Sequence, residues 1–502
     1  MSTNSPLFDA LVIGSGFGGA VSAYVLARAG LRTLLVERGG WANRDRLDWN
    51  PRAILLDKRY QSESPLLVKQ YRDRRHRRVY PNKVLGGMSV FYGGVSLRLR
   101  EGDFARWPIG YPDMEKYYGQ VEELLGVHGE TGHDPSEPFR STNYPFPSID
   151  LTGPAQRLHA AAVGLGYRPF KLPLAINFSD PARPRCLRCG TCDGFPCRIE
   201  AKNDLVSTLL TAAQGFGLEI LVQTIAGRLV AQGERIAEVE CIDRVSGNRF
   251  GLRSRLVVLS AGALHSPAIL LRSRVGPAEN GHLVGRNLMR HCNAVVAGVF
   301  PFATNPEKVF HKQLCLGDFY EDLRQPGGPA TGVIQDIYTP DAEVIRHYAP
   351  HGVKVAAGLV AGHLQNLICI AEDEPQLDNG VTLADDTDQY GLQIARVTHR
   401  YNRGDCQRRD YLVRKAKKIL RAAGAWLCKV YHVDTFSHAV GTVRFGSDPR
   451  TSALDEYCRL RGLENLYVLD GSFMPSSGGV NPSLTIAANA SRVAQHIAAR
   501  HA

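Results

Sequence analysis

The hexad Gly14-Ser15-Gly16-Phe17-Gly18-Gly19 constrains this chain more than any other stretch of it. It fits G-x-G-x-x-G, and it stands in the setting that the pattern needs. Phe8 to Ile13 reads as a buried strand, and an apolar helical pattern through Ala20, Val21, Tyr24, Val25 and Ala27 runs on to Gly30. Arg32 to Val36 then reads as a second strand, ending at the acidic Glu37. Strand, glycine turn, helix, strand and acid together make a dinucleotide-binding βαβ unit. Gly14 permits the tight turn, Gly16 lets a pyrophosphate approach the backbone, and Gly19 allows close helix–strand packing. The helix N-terminus then faces the phosphates with unpaired N–H groups and a favourable dipole. Glu37 is placed to accept hydrogen bonds from a ribose, and its charge disfavours a 2′-phosphate, which argues against NADP. The unit alone does not separate FAD from NAD.

With 502 residues the chain has room for two or three domains with sizeable cores. Its 44% hydrophobic and 22% charged residues exclude a disordered or fibrous protein. No apolar run approaches the roughly 20 residues needed to span a bilayer, so no membrane span is expected. The N-terminus carries no cationic stretch and runs almost at once into a strand, which makes a cytoplasmic location the expectation. The net charge of +11 is concentrated: Lys69, Arg72, Arg74, Arg75, Arg77, Arg78 and Lys83 stand against the single anion Asp73. No nucleic-acid-binding motif accompanies this run, so it reads as a solvated connection and no nucleic acid partner is expected. An electron-transfer or nucleic-acid-binding module is the alternative from another functional class.

The C-terminal part narrows the choice of cofactor. Asn465 to Leu469 reads as a short core strand leading to Asp470-Gly471-Ser472, and Gly478-Gly479-Val480-Asn481-Pro482-Ser483 follows. From Pro482 to about Ala499 the apolar residues Leu484, Ala487, Ala488, Val493 and Ile497 suit a buried helix. Asn481 is a natural N-cap, with Pro482 at the first helical position. A glycine-rich turn thus feeds a helix whose positive end would favour negative charge building on a flavin ring.

Taken in order, these segments resemble the glucose–methanol–choline (GMC) oxidoreductases, an FAD-dependent family acting on alcohols. The resemblance covers the opening glycine motif, Leu85-Gly86-Gly87-Met88-Ser89, Ser260-Ala261-Gly262-Ala263-Leu264-His265-Ser266-Pro267 and Val284-Gly285-Arg286-Asn287-Leu288. It closes with His438 and the block from Asp470-Gly471 to Asn481-Pro482. It implies an α/β fold: a Rossmann-like, discontinuous FAD-binding domain (1–100, 200–292, 436–502) and an α+β substrate domain (101–199, 293–435). Arg253 to Ser260 reads as a parallel-type strand, in keeping with that division.

The resemblance also implies the chemistry, oxidation of an alcohol to a carbonyl with hydride transfer to FAD. His438 matches the family's catalytic histidine, and an imidazole is a suitable base near neutral pH. Asn481 matches the second member of the pair and would hold the substrate oxygen. Gly86, Gly87 and Ser89 resemble the flavin-approaching loop, with Ser89 reaching for the pyrophosphate. Asp470, with Gly471 and Pro482 around it, would receive a ribityl hydroxyl. His265, His291 and His432 lack such motif context and read as structural. Two departures stand out. Tyr92 replaces the asparagine of cholesterol-oxidase-like members, and Ser273-Arg274-Val275-Gly276 replaces a Ser-Gly-hydrophobic-Gly ending.

Of eleven cysteines, Cys186, Cys189, Cys192 and Cys197 lie together as C-x2-C-x2-C-x4-C. This is one residue longer than a ferredoxin run, and iron–sulfur, zinc or no metal all remain open. The expected substrate is a sugar, glycoside or aminosugar hydroxyl, with a sterol or hydrophobic alcohol as the competitor. Oxygen or another acceptor would take the electrons.

Overall fold

In a computed structural model, which describes residues 7–70, 75–275, 281–310 and 312–501, the first apolar run forms the strand Leu7–Ile13 inside a seven-stranded sheet. It pairs in parallel with Thr33–Val36 on one side and Arg249–Leu259 on the other. Glu219–Leu221 extends the sheet in parallel beyond Thr33–Val36, and Leu466–Val468 joins Arg249–Leu259, also in parallel. Thr33–Val36 is buried at every residue, as a strand with no solvent face must be. The hairpin Thr224–Gln232 and Arg235–Asp243 completes the sheet in antiparallel fashion.

The helix Phe17–Arg28 leaves the glycine turn and stops short of Gly30, whose φ of 86° suits only a residue without a side chain. It lies against the C-terminal helix Ser483–His501. At Gly18 a Cβ would sit 1.4 Å from the Leu469 carbonyl oxygen, so this position lets the first helix approach the end of the strand Leu466–Val468. At Gly19 a Cβ would lie 1.9 Å from the Gly14 carbonyl oxygen. The close packing expected of Gly19 is therefore divided: Gly18 meets the last strand, and Gly19 closes the turn.

A second sheet of six strands is antiparallel throughout, in the order Leu427–His432, Ala294–Val299, Leu364–Ile370, Val333–Ile337, Leu314–Leu316 and Phe170–Lys171. The helix Arg403–Ala422 covers it with Leu412, Val413, Ala416, Ile419 and Leu420, an apolar stripe at helical spacing. A four-stranded sheet pairs Leu66–Gln70 and Arg77–Val79 with Gln393–His399 and Gly380–Thr387. Part of the basic run thus forms an edge strand; Arg72, Asp73 and Arg74 lie outside the described residues.

The strands of the mostly parallel sheet come from 7–36, 219–259 and 466–468, and those of the six-stranded sheet from 170–171 and 294–432. Contact does not break at residue 100. The helix Tyr111–Leu124 lies along the C-terminal helix, with Tyr118 Oη and Thr485 Oγ1 2.8 Å apart. Buried Arg98 pairs with Glu122 at 2.7 Å and Glu115 at 3.1 Å from the same helix. The helix Ser266–Ser273 ends at Arg274 with φ 54°, a left-handed conformation that costs a side-chain-bearing residue about 1–2 kcal/mol. Gly276 of that departure lies outside the described residues.

Because Gly18 has no room for a methyl group, Gly18→Ala should cost more than the roughly 1–3 kcal/mol of ordinary overpacking. Thermal unfolding together with flavin content of the purified protein checks this; an unchanged melting temperature would contradict the close approach.

Candidate active site

Four parallel strands end at one edge of the mostly parallel sheet; three of them deliver an expected cofactor-binding residue there, and the fourth a turn of the family resemblance. Leu7–Ile13 runs into Gly14, Thr33–Val36 into Glu37, Arg249–Leu259 into Ser260-Ala261-Gly262, and Leu466–Val468 into Asp470. The carboxyl ends of such strands are where α/β sheets bind ligands. Ser15, which the sequence reading passed over, ties three of these parts together. Its hydroxyl donates to Glu37 Oε2 at 2.6 Å and accepts the Gly86 N–H at 2.8 Å. Glu37 also accepts the Gly39 N–H at 2.8 Å and the Ser15 N–H at 3.2 Å. A carboxylate offers about four acceptor positions, so room remains for a ribose hydroxyl.

Gly86 and Gly87 have φ of 89° and 55°, and a Cβ at Gly87 would come within 3.3 Å of Gly16 Cα. The two glycine turns therefore face each other. At Gly16 a Cβ would meet nothing within 4 Å, and the same holds at Gly262. Open space thus adjoins the bare backbone beside the N-terminus of the first helix. Ser89 differs from expectation. It is fully buried, donates to the Gly86 carbonyl at 2.7 Å and accepts the Leu205 N–H at 3.2 Å, so it fastens the turn instead of facing the space.

Asp470 is buried, and its carboxylate accepts from the Gly262 N–H at 2.9 Å, the Ser472 N–H at 2.8 Å and the Ser266 hydroxyl. It joins the 260–266 turn to the C-terminal turn and retains one acceptor position for a ligand hydroxyl. Gly471 lies under the segment that follows His438, with its carbonyl accepting the Gly441 N–H at 2.9 Å.

His438 sits in a turn directly before that segment. Val440 bridges Met289 through two backbone hydrogen bonds, which brings His438 beside His291. The two Nδ1 atoms are 2.9 Å apart and the rings stand nearly perpendicular, at 87°. His291 Nε2 lies 3.2 Å from the Ser477 carbonyl oxygen. The sequence reading of His291 as merely structural is therefore corrected: it contacts the expected base directly. Burial above all, with neighbouring His291 and the Lys312 ammonium acting the same way, holds the His438 pKa well below its ordinary 6.5, and Asp373 acts weakly the other way. Burial likewise lowers that of His291, against the pull of Asp373.

Asp373, another residue the sequence reading missed, stands behind this pair. It accepts the backbone N–H groups of Arg290 and His291, each at 2.9 Å, and the Ser477 hydroxyl at 2.9 Å. His399 and these donors keep its pKa low in spite of its burial. Its only sequence signal is its place just past the apolar strand Leu364–Ile370.

Asn481 is half-buried, and its Oδ1 accepts from Gln335 Nε2 at 2.8 Å. The helix begins at Ser483, and the Pro482 carbonyl accepts the Ile486 N–H. Pro482 thus holds the cap position expected of Asn481, and Gln335 leaves the Asn481 amide N–H groups as the free end.

The chain matches the GMC oxidoreductase family over residues 8–293 and again over 375–490. It is a GMC oxidoreductase. Among its relatives, the 6'''-hydroxyparomomycin C oxidase of Streptomyces lividus is 32% identical over 100% of this chain and 94% of its own length. The paromamine 6'-oxidase of Streptomyces fradiae is also 32% identical, over 98% and 91%. The crystal structure of pyridoxine 4-oxidase from Mesorbium loti superposes with a TM-score of 0.70 at 19% identity, covering 97% of this chain and 99% of that one. Members of the family bind FAD and oxidise CH–OH groups, and this one is an FAD-dependent alcohol oxidoreductase. The open backbone at Gly16 and Gly262, next to acceptors at Glu37 and Asp470, fits that cofactor.

In this GMC oxidoreductase Tyr92 packs edge-on against Phe17 at 5.2 Å and donates to the Asn203 carbonyl at 2.8 Å, beside the first glycine turn. The four clustered cysteines line one cavity with Trp49, Ile176 and Phe310. Burial pushes the Cys186 thiol up to about 11. Among the described residues no three His, Cys, Asp or Glu side chains converge to hold a metal ion.

If Gln335 orients Asn481, Gln335→Met should slow flavin reduction by substrate about tenfold, the effect of ~1.4 kcal/mol. Stopped-flow bleaching with flavin content unchanged is the check; an unaltered rate would show that the contact does not matter.

Proposed function

We propose that this enzyme oxidises a hydroxyl of a sugar, glycoside or aminosugar, with His438 as the base and Asn481 as the holder of the alcohol oxygen. Bound FAD supplies the hydride acceptor. The observation that carries the reading is the fixed polarity of the two side chains. Gln335 donates to Asn481 Oδ1, which leaves both Asn481 amide N–H donors for a substrate oxygen. His438, kept neutral by burial, can accept the hydroxyl proton. One alcohol group offers an acceptor lone pair and a donor proton, and the pair matches both. Glu37 and Asp470 would receive ribose and ribityl hydroxyls, and the turns at Gly14–Gly19 and Gly86–Gly87 would flank the pyrophosphate.

The substrate class is supported by the two aminoglycoside oxidases among the relatives. It is supported also by the part-buried ion pair of Lys312 with Asp193 at 2.6 Å, whose ammonium is close enough to act on His438. A charge pair so placed suits a hydroxyl-rich ligand better than a sterol, which offers nothing to replace lost water. Oxygen is the acceptor these relatives support. All eleven cysteines are free, which fits a reducing compartment, and we read the protein as cytoplasmic. No helix among the described residues is long and apolar enough to cross a membrane.

Anaerobic flavin bleaching against paromamine, simple sugars, a sterol and simple alcohols tests the substrate class, and turnover in air tests the acceptor. Bleaching by the sterol alone would overturn the class. His438→Gln should slow bleaching about 10²–10⁴-fold while FAD remains bound; a wild-type rate would remove His438 from the base role.

The pH profile follows from the depressed pKa of His438. The active form is the neutral ring, so the rate is full above the folded pKa and falls only as pH drops through it. Bleaching should stay level from about pH 8 to below about pH 6.5, where an ordinary imidazole would be half protonated. A half-maximal rate near that ordinary value would contradict the burial effect.

A further inference from the structure

The geometry points to His291 as a positioning residue that fixes His438 in the tautomer carrying its proton on Nδ1, leaving Nε2 free to receive the substrate proton. The inference rests on the proposed role of His438 and adds the reason that its ring presents a lone pair instead of an N–H.

The direction of each hydrogen bond follows from the partners. A peptide carbonyl can only accept, so His291 Nε2, 3.2 Å from the Ser477 oxygen, carries the proton. In a neutral ring the other nitrogen is then the acceptor. His291 Nδ1 therefore accepts across the 2.9 Å to His438 Nδ1, which must be the donor. His438 Nε2 is left unprotonated. The chain of donors runs one way, from His438 through His291 to the Ser477 carbonyl. Because it ends on a carbonyl it passes no proton onward; it orients.

The middle and the far end of this chain, His291 and Ser477, are held by one carboxylate. Asp373 Oδ1 accepts the His291 N–H and the Ser477 hydroxyl, each at 2.9 Å. The Tyr401 hydroxyl donates to the His291 carbonyl at 2.7 Å. His291 itself has φ 63°, a left-handed conformation rare for residues with a side chain, and strain of that kind persists only where the surroundings enforce it. Asn287, four residues earlier, shares it with φ 63°. The backbone is thus bent to aim this ring. Burial keeps the imidazole neutral, as the acceptor role requires.

The test uses the FAD-loaded full chain with ¹⁵N-labelled histidine, together with His291→Phe and His291→Asn. In the wild type, ¹⁵N NMR should show His438 protonated at Nδ1 and bare at Nε2, with His291 the reverse. His291→Phe keeps the volume without the acceptor and should slow bleaching by paromamine about ten- to a hundredfold, as lost orienting partners typically do. Its FAD content and KM should stay unchanged. His291→Asn restores an acceptor near the Nδ1 position and should recover most of the rate, which a purely space-filling role would not predict. A wild-type His438 protonated at Nε2, a His291→Phe variant as fast as wild type, or an Asn variant no faster than Phe would each overturn the inference. Should His291→Phe fail to fold, the wild-type tautomer still decides. If His438→Gln bleaches at the wild-type rate, the base assignment fails, whereas the tautomer measurement stands apart from it.

Discussion

The contact of Gly18 with the Leu469 carbonyl is the constraint on which the rest of the molecule depends. It presses the first helix of the chain onto the last strand, more than four hundred residues away, at a distance no side chain allows. The first and last segments become one layer, and the ends of their strands come to a common edge. Asp470 follows Leu469 immediately and draws in the 260–266 turn. Gly471 supports the segment from Ala439 to Phe445, whose other side is bridged to Met289. His438 is placed by those two flanks. The nucleotide cradle and the position of the proposed base are therefore consequences of the same approach.

Much of this was legible because local patterns carry local physics. The glycine hexad, the strand before it and the acid after it appear where they were expected, since strand burial and turn geometry are set by neighbours in sequence. What could not be read were residues whose role lies in contacts between distant segments. Ser15 matters through Gly86, Gln335 through Asn481, and His291 through His438, and no periodicity reports such pairs. His291 looked structural because its meaning is entirely in the ring it faces. The boundary at residue 100 was drawn from motif position, and packing crosses it: Arg98 pairs with Glu115 and Glu122 of the helix Tyr111–Leu124, whose Tyr118 meets Thr485 of the C-terminal helix.

Asn481 shows how a local rule can assign a side chain to the wrong partner. Asparagine before Pro-Ser is a good helix cap, and propensity alone assigns its side chain to the helix N–H groups. The structure spends Oδ1 on Gln335 instead, from a strand of the other sheet, and gives the cap position to Pro482. The polar end that remains is a donor. A cap would have turned the same amide inward and left the site with no group to hold an alcohol oxygen.

With His438 as the proposed base, the placement of charge around it resolves a conflict inherent in burying such a group. A neutral imidazole is favoured by burial, yet proton uptake creates a cation that burial opposes. A carboxylate touching His438 would stabilise the cation but raise the pKa and leave the ring protonated at rest. Asp373 is instead one ring further back, bonded to the backbone of His291 and held ionised by its own donors. Its pull on His438 is weak in the resting state, where burial prevails. Once the proton is taken, His291 accepts from a charged donor, a stronger hydrogen bond than between neutral rings. The stabilisation thus grows as the charge forms, which is the condition for an interaction to lower a barrier instead of lowering the ground state.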